Sequence, residues 1–242
     1  MRNIKLLLEY DGTNFLGWQI QKEGRTVQAV LRDTLKILLL EDVNIIGAGR
    51  TDSGVHARGQ VANFLTNSDR EIKVIHRALN GLLPEDIRIH EVCEVPLNFN
   101  SRYDAISRTY KYYISLKPIA IERNIKWYCY YNLNIDVLKR CAEFILTQKD
   151  FKSFCYNKAE QKHHLCNIFV SEWIELGDNL IYNITANRFL YGMVRALVGT
   201  MIDVARGKLS YEDFKSIFNK RDRRFATRTA PAKGLILENV QY

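Results

Sequence analysis

The sequence lacks several features that would assign it to a specialised class of protein. It has no Pro-, Gly- or Ser-rich linker, no low-complexity segment and no repeat of short period. No apolar run approaches the roughly 18 residues that span a bilayer. The first residues, Met1 to Lys5, lack the apolar core of a signal peptide. We therefore expect no membrane association and a cytoplasmic protein.

The sequence also lacks the cysteine pattern of a disulfide framework. Its five cysteines are an odd number, and no two are closely spaced, which favours a reducing compartment. A zinc site from Cys155, His163, His164 and Cys166 is an alternative, but its spacing is irregular and adjacent histidines do not easily bind one ion. We expect no metal, and a positively charged loop is the preferred interpretation of this stretch.

What is present is the composition of a globular protein with excess positive charge. Hydrophobic residues make up 47% of the 242 residues, enough for a sizeable core. The 35 basic residues exceed the 27 acidic ones, giving a net charge of +8. Counterion release favours a polyanionic partner for such a chain, although charge alone leaves nucleic acid as only one alternative.

Patterns of β-formers and amphipathic periodicity predict a mixture of strands and helices. Strands are predicted at 2–10, 43–48, 59–65, 86–95, 108–114, 165–176, 180–187 and 235–240. Helices are predicted at 26–40, 71–82, 134–147 and 190–206, with a last short helix after a Ser210–Asp213 capping box. Without strict βαβ alternation, this order favours an α+β fold with a mixed, largely antiparallel sheet. Each half has its own strands and helices, so we expect two related subdomains, 1–105 with the polar loop described next and 106–242.

A polar, glycine-punctuated loop from Gly49 to His56 is the most unusual stretch. It places Arg50 two residues before Asp52. A neighbouring cation keeps a carboxylate ionised, and such a group can act as a nucleophile or a base. A polar turn with a solvated ion pair is the simpler alternative, and composition alone favours it.

Other kinds of site fit this loop less well. Its glycines at 47, 49 and 54 do not follow the dinucleotide-binding spacing, and neither this loop nor Gly207-Lys208-Leu209 is a P-loop. His56 could be a general base, but a structural role is the preferred interpretation. No cysteine lies in a comparable loop, so cysteine catalysis has no support.

Several blocks spread along the chain carry a family resemblance. They are Tyr10-Asp11-Gly12, Phe15-Leu16-Gly17-Trp18-Gln19, Arg25-Thr26-Val27-Gln28, Gly49 to Ala57, Asn80-Gly81-Leu82-Leu83-Pro84, Arg108-Thr109-Tyr110-Lys111-Tyr112, Phe151-Lys152-Ser153-Phe154, Phe189 to Arg195, and Ala230-Pro231-Ala232-Lys233-Gly234-Leu235. Their order resembles that of the TruA family of transfer-RNA pseudouridine synthases. The resemblance implies that family's fold, with two related α/β subdomains around the sheet and a central cleft.

The resemblance implies a role for individual residues. Asp52 matches the catalytic aspartate, and Arg50 matches an arginine associated with displacing the base. Tyr110 matches a tyrosine that stacks on the target base, although ordinary strand packing is the alternative. Arg195 matches a helix arginine that pairs with the aspartate. Leu235 matches an apolar wall of the pocket, with a plain core position as the alternative.

The implied reaction converts uridine to pseudouridine in the anticodon stem-loop, at positions 38 to 40 of transfer RNA. The resemblance also implies a homodimer that holds the RNA across both subunits. No redox change or group donor is needed, so we expect no cofactor. Attack of Asp52 on the sugar and removal of a sugar proton to give a glycal both remain open.

Two other hypotheses remain beside this one. A non-catalytic RNA-binding protein would be signalled by loss of the aspartate, which is present. An enzyme with relaxed substrate choice, acting on ribosomal or messenger RNA, is the other. In each case exposed basic residues would follow phosphates, namely Lys22, Arg25, Arg58, Arg102, Arg108, Lys111 and the cluster from Lys220 to Arg224.

Overall fold

The structure is a computed structural model that describes residues 1–156 and 163–242. The strands in these ranges are β1 (Arg2–Tyr10), β2 (Ile46–Gly47), β3 (His56–Thr66), β4 (Ile87–Val95), β5 (Ser107–Ser115), β6 (Trp127–Tyr128), β7 (Ile168–Leu176), β8 (Asn179–Ala186) and β9 (Leu235–Gln241). The five α-helices in the same ranges are α1 (Val27–Leu39), α2 (Ile72–Leu82), α3 (Ile135–Leu146), α4 (Met193–Ala205) and α5 (Tyr211–Lys220).

The chain divides into two compact units. The first contains Met1–Ile106 together with Leu237–Tyr242, and the second contains Ser107–Ile236. Most of β9 therefore belongs with the N-terminal part of the chain. The functional division into 1–105 and 106–242 follows chain order and stays a prediction.

In the first unit, β1 lies between two antiparallel neighbours. Leu6 is opposite Ala62 of β3 and opposite Val92 of β4. Because side chains alternate across a strand, Ile4, Leu6 and Leu8 share one face and all three are buried. Helix α1 begins after Thr26, as predicted, and the Thr26 hydroxyl accepts a hydrogen bond from the Ala29 amide at 3.3 Å.

In the second unit, β8 lies between β5 and β7 and is antiparallel to both. The β7–β8 hairpin turns at Gly177, whose positive φ of 57° suits glycine. Helix α4 contacts α3 and α5. Within this fully described helix, Arg195 is the one residue that is not buried. Ser210 and Asp213 form the predicted capping box at α5.

The predicted mixture of helices with a mostly antiparallel, mixed sheet is confirmed. Local boundaries differ in several places, and β3 begins at His56 rather than 59 and β7 at Ile168 rather than 165. Helix α4 begins at Met193 rather than 190, because Gly192 has a φ of 71° and cannot continue a right-handed helix. The strand expected at 43–48 is reduced to β2, and β6 was not predicted. None of the helices in the described ranges combines the length and apolar character that a membrane crossing requires.

Candidate active site

The polar loop connects β2 to β3 in the first unit. Within it, the Val55 amide donates a hydrogen bond to the Asp52 carbonyl at 3.1 Å and closes a β-turn. Gly54 is the third residue of this turn and has a φ of 73°, which explains a glycine there. Asp52 is half-buried and Arg50 is exposed. The turn thus fixes the backbone on which the Asp52 carboxylate is carried.

The end of β1 and the segment that follows it support this loop. The Trp18 amide donates to the Thr51 carbonyl at 3.1 Å, and the Tyr10 hydroxyl lies 2.8 Å from Thr51 Oγ1. Burial raises the pKa of Tyr10 to about 12, so the phenol stays protonated at neutral pH. The Gln60 side-chain amide donates to the Gly49 carbonyl at 2.9 Å. The residue before Asp52 is therefore held through both its backbone and its side chain.

Two positions in this supporting segment require glycine, because its backbone lies in close contact with the backbone of the loop. Gly17 has a φ of 92°, and a Cβ there would lie 2.5 Å from the Thr51 carbonyl oxygen. A Cβ on Gly12 would overlap the Val55 carbonyl. The glycines of the N-terminal blocks thus let that segment contact both ends of the Asp52 turn.

His56 supports the same turn from the start of β3. Its ring is buried, and Nδ1 lies 3.0 Å from the Gly12 amide and 3.1 Å from Asp11 Oδ1. The ring nitrogen accepts from the amide in one tautomer and donates to the carboxylate in the other. Desolvation acts to raise the pKa of Asp11, but hydrogen bonds from Thr13 and the nearby His56 outweigh it, and the pKa is lowered. This geometry favours a structural role for His56 over a general base.

In the second unit, three sequence blocks meet around Tyr110 and Arg195. Tyr110, in β5, is buried and packs edge-on against Phe189, with ring centroids 5.1 Å apart. Arg195 Nε donates to the Ala230 carbonyl at 2.9 Å, and the Ala230 amide donates to the Arg195 carbonyl at 3.0 Å. This reciprocal pair orients the first turn of α4.

Leu235 is the first residue of β9 and is buried. The chain reaches it past the ring of Tyr112, whose hydroxyl donates to the Pro231 carbonyl at 2.8 Å. A Cβ on Gly234 would lie 2.6 Å from that ring. The glycine before Leu235 therefore allows the strand to pass the tyrosine.

Comparison with known proteins identifies the family. A family model described as tRNA pseudouridine synthase matches residues 7–104 and 146–242. The chain belongs to the tRNA pseudouridine synthase family.

Relatives called tRNA pseudouridine synthase A align with the chain over its full length. The protein of Caldicellulosiruptor bescii is 42% identical, and all of both chains is covered. That of Clostridium acetobutylicum is 39% identical, again over all of both chains. That of Bacteroides thetaiotaomicron is 39% identical over all of this chain and 91% of its own. The family resemblance inferred from the sequence blocks is thereby confirmed.

The family blocks occupy defined places in the two units. Asp52 and Arg50 lie in one loop of the first unit, while Tyr110, Arg195 and Leu235 lie in the second. The roles of these five residues in a pseudouridine synthase stay predictions. Sequence reasoning gave no individual role to Tyr10, although it stands in a family block, and missed Gln60, which no local pattern separates from an ordinary strand position.

Several basic residues proposed to follow phosphates have internal partners. Arg25 forms a bidentate pair with Asp86 at 2.6 and 2.8 Å. Arg58 pairs with Glu238 at 2.8 Å, and Arg221 pairs with Asp150 at 3.0 Å. These three arginines therefore form ion pairs within the fold and also add to the surface charge.

The stretch around Cys155 and Cys166 is only partly described. Both thiols are buried, whereas His163 is exposed and lies 3.4 Å from Arg188 through its Nε2. Within residues 1–156 and 163–242, no three His, Cys, Asp or Glu side chains are arranged to hold a metal ion. The centre of the positively charged loop expected here, at 157–162, lies outside the described residues.

Proposed function

We propose that this chain converts uridine to pseudouridine in tRNA, with Asp52 as the reacting carboxylate. The observation that carries the proposal is the position of Asp52. It lies on a β-turn whose Gly54 amide donates a hydrogen bond to the Phe15 carbonyl at 3.2 Å. The preceding residue, Thr51, is bound by Trp18 through its carbonyl and by Tyr10 through its hydroxyl. Catalytic groups act best when the surrounding contacts already hold them in place.

The chemistry requires a carboxylate and no cofactor. The N-glycosidic bond of uridine breaks, the uracil rotates, and a bond forms between its carbon 5 and the sugar. Asp52 either attacks the sugar as a nucleophile or removes a sugar proton to give a glycal. In both routes carbon 5 loses its proton to solvent and the former glycosidic nitrogen N1 takes one up, so the isomerisation is balanced without an oxidant or a donor.

The remaining predicted residues have roles that follow from their chemistry. The target base must leave its stack before it can react. Tyr110 offers an aromatic face for the displaced uracil, and Leu235 an apolar contact. Arg50, exposed on the reacting loop, contacts the RNA as the base leaves. Arg195 supplies a guanidinium whose Nε is anchored at Ala230, and the family resemblance implies that it pairs with the catalytic carboxylate.

The proposal extends to substrate position, assembly and location. We expect the anticodon stem-loop as the substrate and a homodimer as the active form, both as implied by the family resemblance. We expect a cytoplasmic enzyme. No disulfide joins any of the five cysteines, all of which lie in the described residues, and this fits a reducing compartment.

Tritium release from tRNA labelled at carbon 5 of uridine tests the reaction. The wild type is expected to release label, and Asp52→Asn to lose at least about a thousandfold in rate while retaining tRNA binding. Ser53→Ala is the matched control, because it alters the neighbouring residue of the same turn and is expected to stay active. Release by Asp52→Asn at the wild-type rate would overturn the assignment. A silent wild type that binds tRNA would indicate a non-catalytic RNA-binding protein.

A further inference from the structure

Five side chains of the second unit form a cluster that the proposed reaction does not use. We call it the Tyr–Arg patch. It brings together the segment around β6, the end of α4 and the segment before β9. Its members are Trp127, Tyr130, Tyr131, Arg206 and Arg228.

Guanidinium groups and aromatic rings alternate in the Tyr–Arg patch. Arg206 lies 4.3 Å and Arg228 lies 5.0 Å from the ring centroid of Tyr131. Arg228 also lies 5.6 Å from the ring of Trp127. The rings of Tyr130 and Tyr131 are 4.2 Å apart, and their hydroxyls are hydrogen-bonded at 2.8 Å. Tyr130 is 69% exposed and the Arg228 side chain is 42% exposed, so both are accessible to a ligand.

Main-chain hydrogen bonds hold the segment that carries the tyrosines. The Cys129 amide donates to the Ser115 carbonyl at 2.9 Å, and the Asn134 amide donates to the Ala205 carbonyl at 2.9 Å. The backbone of the patch is therefore anchored to β5 and α4 without the exposed side chains. Replacing Tyr130 or Arg228 should leave the fold intact.

The patch carries positive charge that its own partners do not cancel. Asp203 is fully buried and lies 2.7 Å from Arg206, 3.5 Å from Lys208 and 4.0 Å from Arg228. Three cations thus share this one carboxylate, an excess of two positive charges. Asp203 orients Arg206 through a hydrogen bond from the Nε of that arginine at 2.8 Å and attracts the other two cations by charge, and the two guanidinium groups lie beside aromatic rings.

We propose that the Tyr–Arg patch is an RNA-binding surface that stacks an unpaired base of tRNA and pairs with an adjacent phosphate. Bases stack on tyrosine rings and on guanidinium planes, and arginine also pairs with phosphate oxygens. The excess positive charge matches a polyanion and disfavours a second copy of this basic chain. The inference rests on tRNA as the substrate, as proposed above, but none of its residues takes part in the isomerisation.

Equilibrium binding of tRNA to the full-length protein tests the surface. Tyr130→Ala is expected to raise the Kd for tRNA about tenfold, since a base loses its stacking partner. Tyr130→Phe keeps the ring and is expected to bind like the wild type. Arg228→Ala is expected to raise the Kd and to reduce the slope of log Kd against log salt concentration by about one. Single-turnover tritium release at saturating tRNA is expected to be unchanged in all three.

Matched controls separate the patch from general surface effects. Phe169→Ala removes another exposed ring, and Arg123→Ala another exposed cation, and both are expected to bind tRNA normally. Unchanged Kd values for Tyr130→Ala and Arg228→Ala would overturn the inference while leaving the proposed reaction intact. A change of association state in sedimentation, with unchanged tRNA affinity per protomer, would overturn it in favour of a protein interface. A wild type that binds tRNA through the patch but releases no label would contradict only the proposed reaction.

Discussion

Single atoms decide how the reacting loop is built. The Thr51 carbonyl accepts a hydrogen bond from the Trp18 amide. A Cβ at the neighbouring Gly17 would overlap the same carbonyl oxygen. Asp52 is the next residue. Small changes at Gly17 should therefore reach the proposed reacting carboxylate through one shared peptide group.

Gly17→Ala is expected to destabilise the protein by at least about 2 kcal/mol, because a left-handed φ and a backbone overlap both penalise the methyl group. Urea unfolding measures the loss, and tritium release from the folded fraction should fall as well. Gly81→Ala is the control. Gly81 lies in α2 with open space around its Cβ position, so alanine there is expected to stabilise by about 0.5 to 1 kcal/mol. Equal effects of the two changes would contradict the argument.

Residue chemistry could be predicted further than residue contacts. The glycine-punctuated block draws attention to Asp52, but composition alone favours a polar turn, and the catalytic role is implied by the family resemblance. The partners of that block could not be predicted, since Tyr10 and Gln60 lie 42 and 8 positions away and read as strand residues. Only the pairing of β1 with β3 brings them beneath the loop.

At the scale of elements, Gln28 connects three segments of the first unit. This residue of α1 is buried, and its side chain accepts from the Ile20 amide at 3.0 Å and donates to the Ile45 carbonyl at 2.9 Å. It thus joins the helix to the end of the Trp18 segment and to the chain entering β2. This explains why a glutamine follows the cap of an otherwise amphipathic helix.

Gln28→Leu is expected to cost about 2 to 3 kcal/mol in unfolding free energy, because it leaves a part-buried amide and a buried carbonyl without their partners. Chemical denaturation measures it. Gln21→Leu provides the comparison, since Gln21 is exposed and makes one hydrogen bond, to the Leu16 carbonyl at 2.8 Å. A change below about 0.5 kcal/mol is expected there. A Gln28→Leu protein as stable as Gln21→Leu would refute the role of the glutamine as a connector.

Most helices and strands could be predicted from periodicity and caps, as the agreement at α1, α3 and α5 shows. The exceptions have tertiary causes. At Gly192 a positive φ starts α4 late, and a Cβ there would meet the ring of Tyr156. Strand β6 has two residues and exists only through parallel pairing with β5. Neither contact leaves a pattern in the local sequence.

At the scale of the whole molecule, buried tyrosines link folding to alkaline pH. Four of the thirteen tyrosines, all in the described residues, are buried, and the three least exposed of them are Tyr10, Tyr112 and Tyr182. Desolvation raises the pKa of Tyr10 to about 12 and raises the pKa of Tyr112 and Tyr182 as well. Desolvation also raises the pKa of the buried Cys141 and Cys166 thiols to about 12. In every case the folded state favours the protonated form.

The folded protein is therefore expected to lose stability as the pH rises. For Tyr10, whose unfolded pKa is near 10, the stabilisation is fully present below pH 10 and is lost between about pH 10 and 12. Its share is on the order of 2 kcal/mol, and the buried thiols begin to contribute with the same sign from about pH 9. Urea midpoints measured from pH 8 to 11 should fall steadily.

Absorbance at 295 nm, followed with far-ultraviolet circular dichroism, gives the sharpest form of this test. Tyrosines in contact with solvent ionise first, while the fold is still intact. The buried group should ionise later, in the same step that abolishes the helical signal, because the phenols become charged only when water reaches them. Tyr10→Phe removes one of the buried ionisable phenols. The unfolding free energy of this variant should therefore decline less between pH 10 and 12 than that of the wild type. If all thirteen tyrosines ionised near pH 10 while the helical signal persisted, the burial of these three rings would be contradicted.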